Sequence, residues 1–217
     1  MGGSLKNLDL LSVGIAVAAM CMMSFAVYFN NRKVLINRIF LAMSLTGVCW
    51  SVFNYFSYQF QFEYIVLWLI RLAVFFAVWF SFFIFYLFYV ISEESFKLKK
   101  SYKYFFVPLA IITSVLNLTP FVFIRVTEFI DGRVSKVENG PGIILFGIAV
   151  FSMVGTAICL LYKKMISAVG IDKARLKTIL FGISITSISL IIFRRYSFNS
   201  PTLSPYLLCI SSISEVN

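Results

Sequence analysis

No histidine occurs anywhere in the 217 residues. That absence excludes a histidine metal site, a Ser–His or Cys–His nucleophile pair and a histidine phosphoacceptor. Cysteine is scarce as well: Cys21, Cys49, Cys159 and Cys209 are scattered, no two form a Cys-x-x-Cys pair, and they serve as small apolar residues. No Walker loop and no Gly-x-Gly-x-x-Gly fingerprint is present, so nothing points to nucleotide chemistry, a cofactor or an enzyme. Charge is also thin, at 13% of residues, and acids number only nine.

What is there is apolar. Hydrophobic residues make up 60% of the chain and mean hydropathy is +0.92, a composition that one soluble core cannot hide. A helix needs roughly 20 mainly apolar residues to cross a hydrocarbon layer about 30 Å thick. Runs of that kind lie at 8–29, 39–58, 64–91, 104–124 and 142–162, with a shorter sixth at 178–193. The first is too long for a signal-peptide core, and no clear small-residue cleavage site follows it. The expected fold is an all-α membrane protein, a bundle of six transmembrane helices.

Bases mark alternate connections. Arg32, Lys33 and Arg38 lie between runs one and two, Lys97, Lys99, Lys100 and Lys103 between three and four, and Lys163, Lys164, Lys173, Arg175 and Lys177 between five and six. The positive-inside rule places those connections in the cytoplasm and the amino terminus outside the cell membrane. Topology and anionic lipid headgroups account for the net charge of +10, and no nucleic-acid module is present. In the opposite set of connections, "IRVTEFIDGRVSKVENG" alternates apolar and polar residues around Asp131-Gly132, which predicts a small β-hairpin in the outer loop between spans four and five. Glycines at 142, 147 and 155, and the four-residue spacing of Gly14 and Ala18, suit close helix contacts.

One charge interrupts the longest run. At about 1.5 Å per residue, the 28 residues of 64–91 span roughly 42 Å, which sets Arg71 in the outer third of the bilayer with Trp68 one turn before it. Two fates are open to its guanidinium: snorkelling outward to phosphate and water, or facing the bundle interior and marking a site. Asn54 and Asn117 share the outer half, and Trp50 lies near mid-depth, where an indole N–H wants a partner. Trp50, Asn54, Trp68, Arg71 and Asn117 are the candidate ligand-binding residues; the alternative is that polar groups near the outer interface meet water and need no ligand.

Several segments taken in order resemble a known family. They are "NNRKVLINRIFLAMSLTGVCWSVFNYFSY", "LWLIRLAVFFAVWFSFFIFYLFYVI", "VPLAIITSVLNLTPFVF", "GPGIILFG" and "DKARLKTILFGISI". Together they resemble the amino-terminal seven-span sensor region found ahead of bacterial and archaeal histidine kinases, over residues 8–192. The resemblance implies a signal-sensing input domain coupled to a cytoplasmic kinase module. The partners open to such a chain are the lipid bilayer, a second copy of itself, that kinase module, and a small-molecule or lipid-like ligand. A departure accompanies the match. The family has a seventh span, missing here, and from Arg194 the sequence turns Ser- and Pro-rich, so residues 1–193 form the expected membrane domain and 194–217 a short irregular tail. A truncated or frame-shifted product, a stand-alone module, and a sixth run that does not cross are the competing explanations. In any of them the catalytic output module is absent, and the alternative function is a small multi-span transporter or channel subunit.

Overall fold

The computed structural model describes residues 2–93, 97–130, 133–170, 172–174 and 176–181. Five helices and one hairpin follow in chain order: α1 (Gly2–Asn30), α2 (Leu35–Ser57), α3 (Glu63–Glu93), α4 (Lys100–Asn117), β1 (Phe123–Ile130), β2 (Arg133–Asn139) and α5 (Gly142–Ser167). Residues 172–174 and 176–181 are also helical. The expected sixth span reaches 193 and the expected tail runs from 194, so the sixth span beyond 181 and all of the tail lie outside the described residues.

Four of the helices are long and apolar enough to cross a bilayer: Val13–Asn30, Leu35–Ser57, Glu63–Ser92 and Gly142–Ser167. The expected fourth span, at 104–124, needs correction. Its helix begins earlier, at Lys100, and stops at Asn117, and its last expected residues, Phe123 and Ile124, are in strand β1 instead. The reason is local. Proline at 120 disfavours helical backbone at Thr119, and Thr119 closes the turn: its hydroxyl donates to the Leu116 carbonyl at 2.6 Å, and the hydroxyl oxygen accepts from the Phe121 N–H at 3.3 Å. Helix α4 is therefore only 18 residues long, roughly 27 Å.

The hairpin forms where the alternation predicts it. β1 and β2 pair antiparallel from Phe123 with Asn139 to Ile130 with Arg133. The connecting Asp131-Gly132 lies outside the described residues.

Helix α3 is the axis of the bundle. It packs on α2, α4, α5 and β1, and it is the most buried of the four candidate spans. Aromatic rings set its register with α4: Phe85 meets Phe106 at 4.5 Å between centroids, and Tyr89 meets Tyr102 at 5.7 Å. Each step of four along α3 is matched by a step of four back along α4, as antiparallel helices require. Below these pairs the Tyr89 hydroxyl donates to the Lys97 carbonyl and accepts from the Lys99 N–H, which pins the α3–α4 connection under the end of α3. Met153 and Ala157 of α5 complete this core, both without exposure. A second apolar cluster lies toward the hairpin, where Val66, Ile70 and Val74 of α3 meet Val122, Phe123, Val126 and Ile143.

Small residues divide by what they face. At Gly47 an added Cβ would come within 2.9 Å of the Met20 methyl and 3.0 Å of the Phe80 ring, so α1, α2 and α3 meet there closely; Gly14 and Gly155 have open space beside them. Two substitutions on α5 separate these environments. Ala157→Leu should cost about 1–3 kcal/mol by overpacking, whereas Gly155→Ala should stabilise by up to about 1 kcal/mol through helix propensity. Unfolding by titration with a denaturing detergent, read by circular dichroism, distinguishes the two.

Candidate functional site

Arg71 does not reach outward. The residue is 8% exposed, and its Nη2 donates to the Phe123 carbonyl of β1 at 2.8 Å. The snorkelling alternative is thus replaced by an inward one, because a carbonyl from the start of the hairpin descends to meet the guanidinium inside the bundle. The guanidinium carbon also lies 5.8 Å from the centroid of the Trp68 ring, at the outer limit of cation–π contact. Arg71 Nε is buried with no hydrogen-bond partner, and among the described residues no carboxylate pairs with the charge. A buried charge without a counter-ion is costly and is rarely kept without a role.

A second contact fastens the hairpin to the same helix. Glu63 Oε1 accepts from the Val126 N–H at 3.2 Å. Glu63 and Arg71 stand eight residues apart on α3, about 12 Å along the axis, while Phe123 and Val126 stand three apart on a strand, about 10 Å. The two spacings match, so β1 lies along α3 with its start at the deeper contact. The ion pair between Arg125 and Glu138 is a different matter. Glu138 raises the Arg125 pKa, first through the hydrogen bond and then through its charge, but the two side chains are exposed and such pairs contribute little. Burial, not surface charge, holds the hairpin.

The far end of the hairpin is sealed onto the first. Gly140 N–H donates to the Val122 carbonyl at 2.8 Å and Gly142 N–H to the Phe121 carbonyl at 3.0 Å. A Cβ at Gly140 would run into that Phe121 carbonyl oxygen, so only glycine permits this backbone approach.

Asn117 ends α4 with no exposure at all, and neither its Oδ1 nor its Nδ2 has a partner. On the same stretch the hydroxyls of Thr113 and Ser114 are likewise buried and unpartnered. Continuing the register fixed by the Phe85–Phe106 and Tyr89–Tyr102 pairs puts Thr113 level with Val78 and Asn117 level with Val74, about one turn from Arg71. Each such orphaned group costs about 1–3 kcal/mol. A layer of unsatisfied donors and acceptors therefore crosses the bundle just beneath the hairpin.

The remaining candidates separate from this layer. Trp68 is 38% exposed and stacks edge-on with Tyr64. Trp50 is half-buried against Phe80 at 5.9 Å, and Phe53 stacks on Phe76 at 5.5 Å, which sets Asn54, also half-buried, near the Phe76 level on the α2 side. No hydrogen bond joins Asn54 or Asn117 to Arg71. Sequence reasoning missed Glu63, Thr113, Ser114 and the Phe123 carbonyl. The eight-residue spacing of Glu63 and Arg71, which shares one helix face, was the available signal for the first. A backbone carbonyl as the partner of Arg71 leaves none.

A helical membrane bundle with a strand hairpin clamped to its central helix, and a buried arginine beneath, defines the class as a polytopic membrane protein. The family described as the N-terminal 7TM region of histidine kinase matches residues 12–214, and the chain belongs to that family. The match runs through 194–214, beyond the 8–192 over which the quoted segments carry the likeness. No curated protein and no solved structure matches.

The seal makes one expectation sharp. Gly140→Ala should destabilise the protein by about 1–3 kcal/mol or more, because the backbone at Phe121 must move, and should raise hydrogen exchange in 121–130. Ala substitution at the exposed Arg125 should leave exchange there unchanged.

Proposed function

We propose that this chain is the signal-receiving input region of a histidine-kinase system, embedded in the cell membrane with its amino terminus and hairpin outside and its basic connections in the cytoplasm. The stimulus is a small-molecule or lipid-like ligand with an acidic group, taken up in the polar layer beneath the hairpin. Arg71 supplies the charge, Asn117 a donor and an acceptor, and Trp68, Asn54 and Trp50 flank the path inward. One observation carries this reading: Arg71 and Asn117 hold buried polar atoms with no partner, at levels about one helical turn apart along α3. A planar guanidinium with an unused Nε–H suits a carboxylate or phosphate better than a point charge does. Binding there acts only through differential affinity for two arrangements of the helices. Because β1 is fastened to α3 at Glu63 and Arg71, a ligand competing with the Phe123 carbonyl for the guanidinium would loosen the hairpin and shift α3, and the shift passes to a kinase module, in this chain's assembly or a second copy's.

The test uses Asn117→Leu in the chain fused to a histidine-kinase reporter. Leucine has similar volume and no polar atoms, so removing the orphaned amide should raise stability by about 1–3 kcal/mol while abolishing the stimulus response. A stabilised variant that still responds ends the ligand-site reading. Topology is checked separately in a cysteine-free background. Cysteine at Ser4 should react with an impermeant maleimide in intact cells and cysteine at Ser167 should not; the reverse pattern overturns the orientation.

A further inference from the structure

The opposite end of the bundle holds a cavity of about 230 Å³ between the ends of α3 and α5, lined by Ser92, Leu160, Lys163, Lys164 and Ser167. Ser92 is 8% exposed, and its hydroxyl is buried with no hydrogen-bond partner. That hydroxyl lacks an acceptor, and Lys163 and Lys164 line the same cavity. The last carbonyls of α5 do not fill that need, because the Lys163 carbonyl already accepts from the Ser167 hydroxyl at 3.3 Å and the Lys164 carbonyl from the Ala168 N–H at 2.9 Å. The chain's own donors thus meet the negative end of the helix dipole. Charge in the surrounding sequence favours an anion: Lys97, Lys99, Lys100 and Lys103 follow α3 and Lys163 and Lys164 end α5, six bases against the two acids Glu93 and Glu94.

We infer that this cavity binds the phosphodiester headgroup of an anionic phospholipid of the leaflet at the basic end, held by the Lys163 and Lys164 ammonium groups and the Ser92 hydroxyl. Phosphate is the shared chemistry of a lipid headgroup and a free anion, and the walls decide between them. Leu160 gives the cavity an apolar lining residue on the same face of α5 as Lys163 and Lys164, one turn before them. An acyl chain gains contact with Leu160 and inorganic phosphate does not. Basic pockets between helices at this depth are a recognised form of lipid headgroup site. The site is independent of the ligand layer under the hairpin and stands whether or not that layer binds anything.

Native mass spectrometry of the full chain, mixed in detergent with phosphatidylglycerol, reads the site directly. The wild type should retain one phosphatidylglycerol. Lys163→Gln with Lys164→Gln should lower retention at least about tenfold, from two charges near the headgroup. Ser92→Ala should lower it at least about tenfold through one lost hydrogen bond to a charged group. Lys100→Gln with Lys103→Gln, the same charge change at the same end, should retain the lipid as wild type does, and inorganic phosphate in large excess should not displace it. No retained lipid in the wild type, or equal loss in the two lysine pairs, overturns the site in favour of a diffuse basic rim. Displacement by inorganic phosphate overturns the lipid assignment in favour of a free-anion site.

Discussion

The hydrogen bond from Arg71 to the Phe123 carbonyl constrains the hairpin end of the bundle more than any other contact. A guanidinium buried in an apolar bundle must find an acceptor, and with no carboxylate paired to it among the described residues, the backbone of β1 provides one. That forces the chain leaving α4 to turn sharply inward after Asn117, which Pro120 and the Thr119 hydroxyl accomplish. It also brings Phe121 and Val122 so close to the start of α5 that residues 140 and 142 are glycine. Glu63 then fixes the strand's direction by taking the Val126 amide further out. The hairpin is held as an extension of α3.

Helix α3 connects the two ends of the molecule. Ser92 at one end follows Arg71 at the other by 21 positions, roughly 32 Å of helix. The Phe85, Tyr89, Tyr102 and Phe106 rings pack its lower half against α4. An unbroken helix gripped along its length moves as a unit. In the proposed sensing role, a change in the Arg71 contact would therefore be felt at the basic end, where the proposed lipid site lies. Helix α1, by contrast, is largely exposed along its span and packs on α2, so little of its surface takes part in that grip.

Much of this was legible in the sequence because membrane solvation writes itself plainly: apolar runs of sufficient length located α1, α2, α3 and α5 within a turn or two. Alternation around Asp131-Gly132 located the hairpin. Hydropathy alone extended the fourth run through Phe123 and Ile124, since apolar residues on a strand that faces the bundle look the same as those on a span; the Thr119-Pro120 step was the local sign that the helix ends. Arg71 and Asn117 were legible as polar residues at unusual depth, but not their partners. A backbone carbonyl carries no side-chain signature, and the orphaned state of Asn117, Thr113 and Ser114 depends on what packs around them.

The central claim is that Arg71 points inward and anchors β1, and amide exchange at Val126 in a lipid nanodisc tests it most directly. That N–H is bonded to Glu63, so its protection reports attachment of the hairpin to α3. The account predicts a protected Val126 amide in the wild type and at least about tenfold faster exchange in Arg71→Leu, which loses one hydrogen bond to a charged group. Equal exchange in the two proteins, or an unprotected Val126 in the wild type, would contradict it.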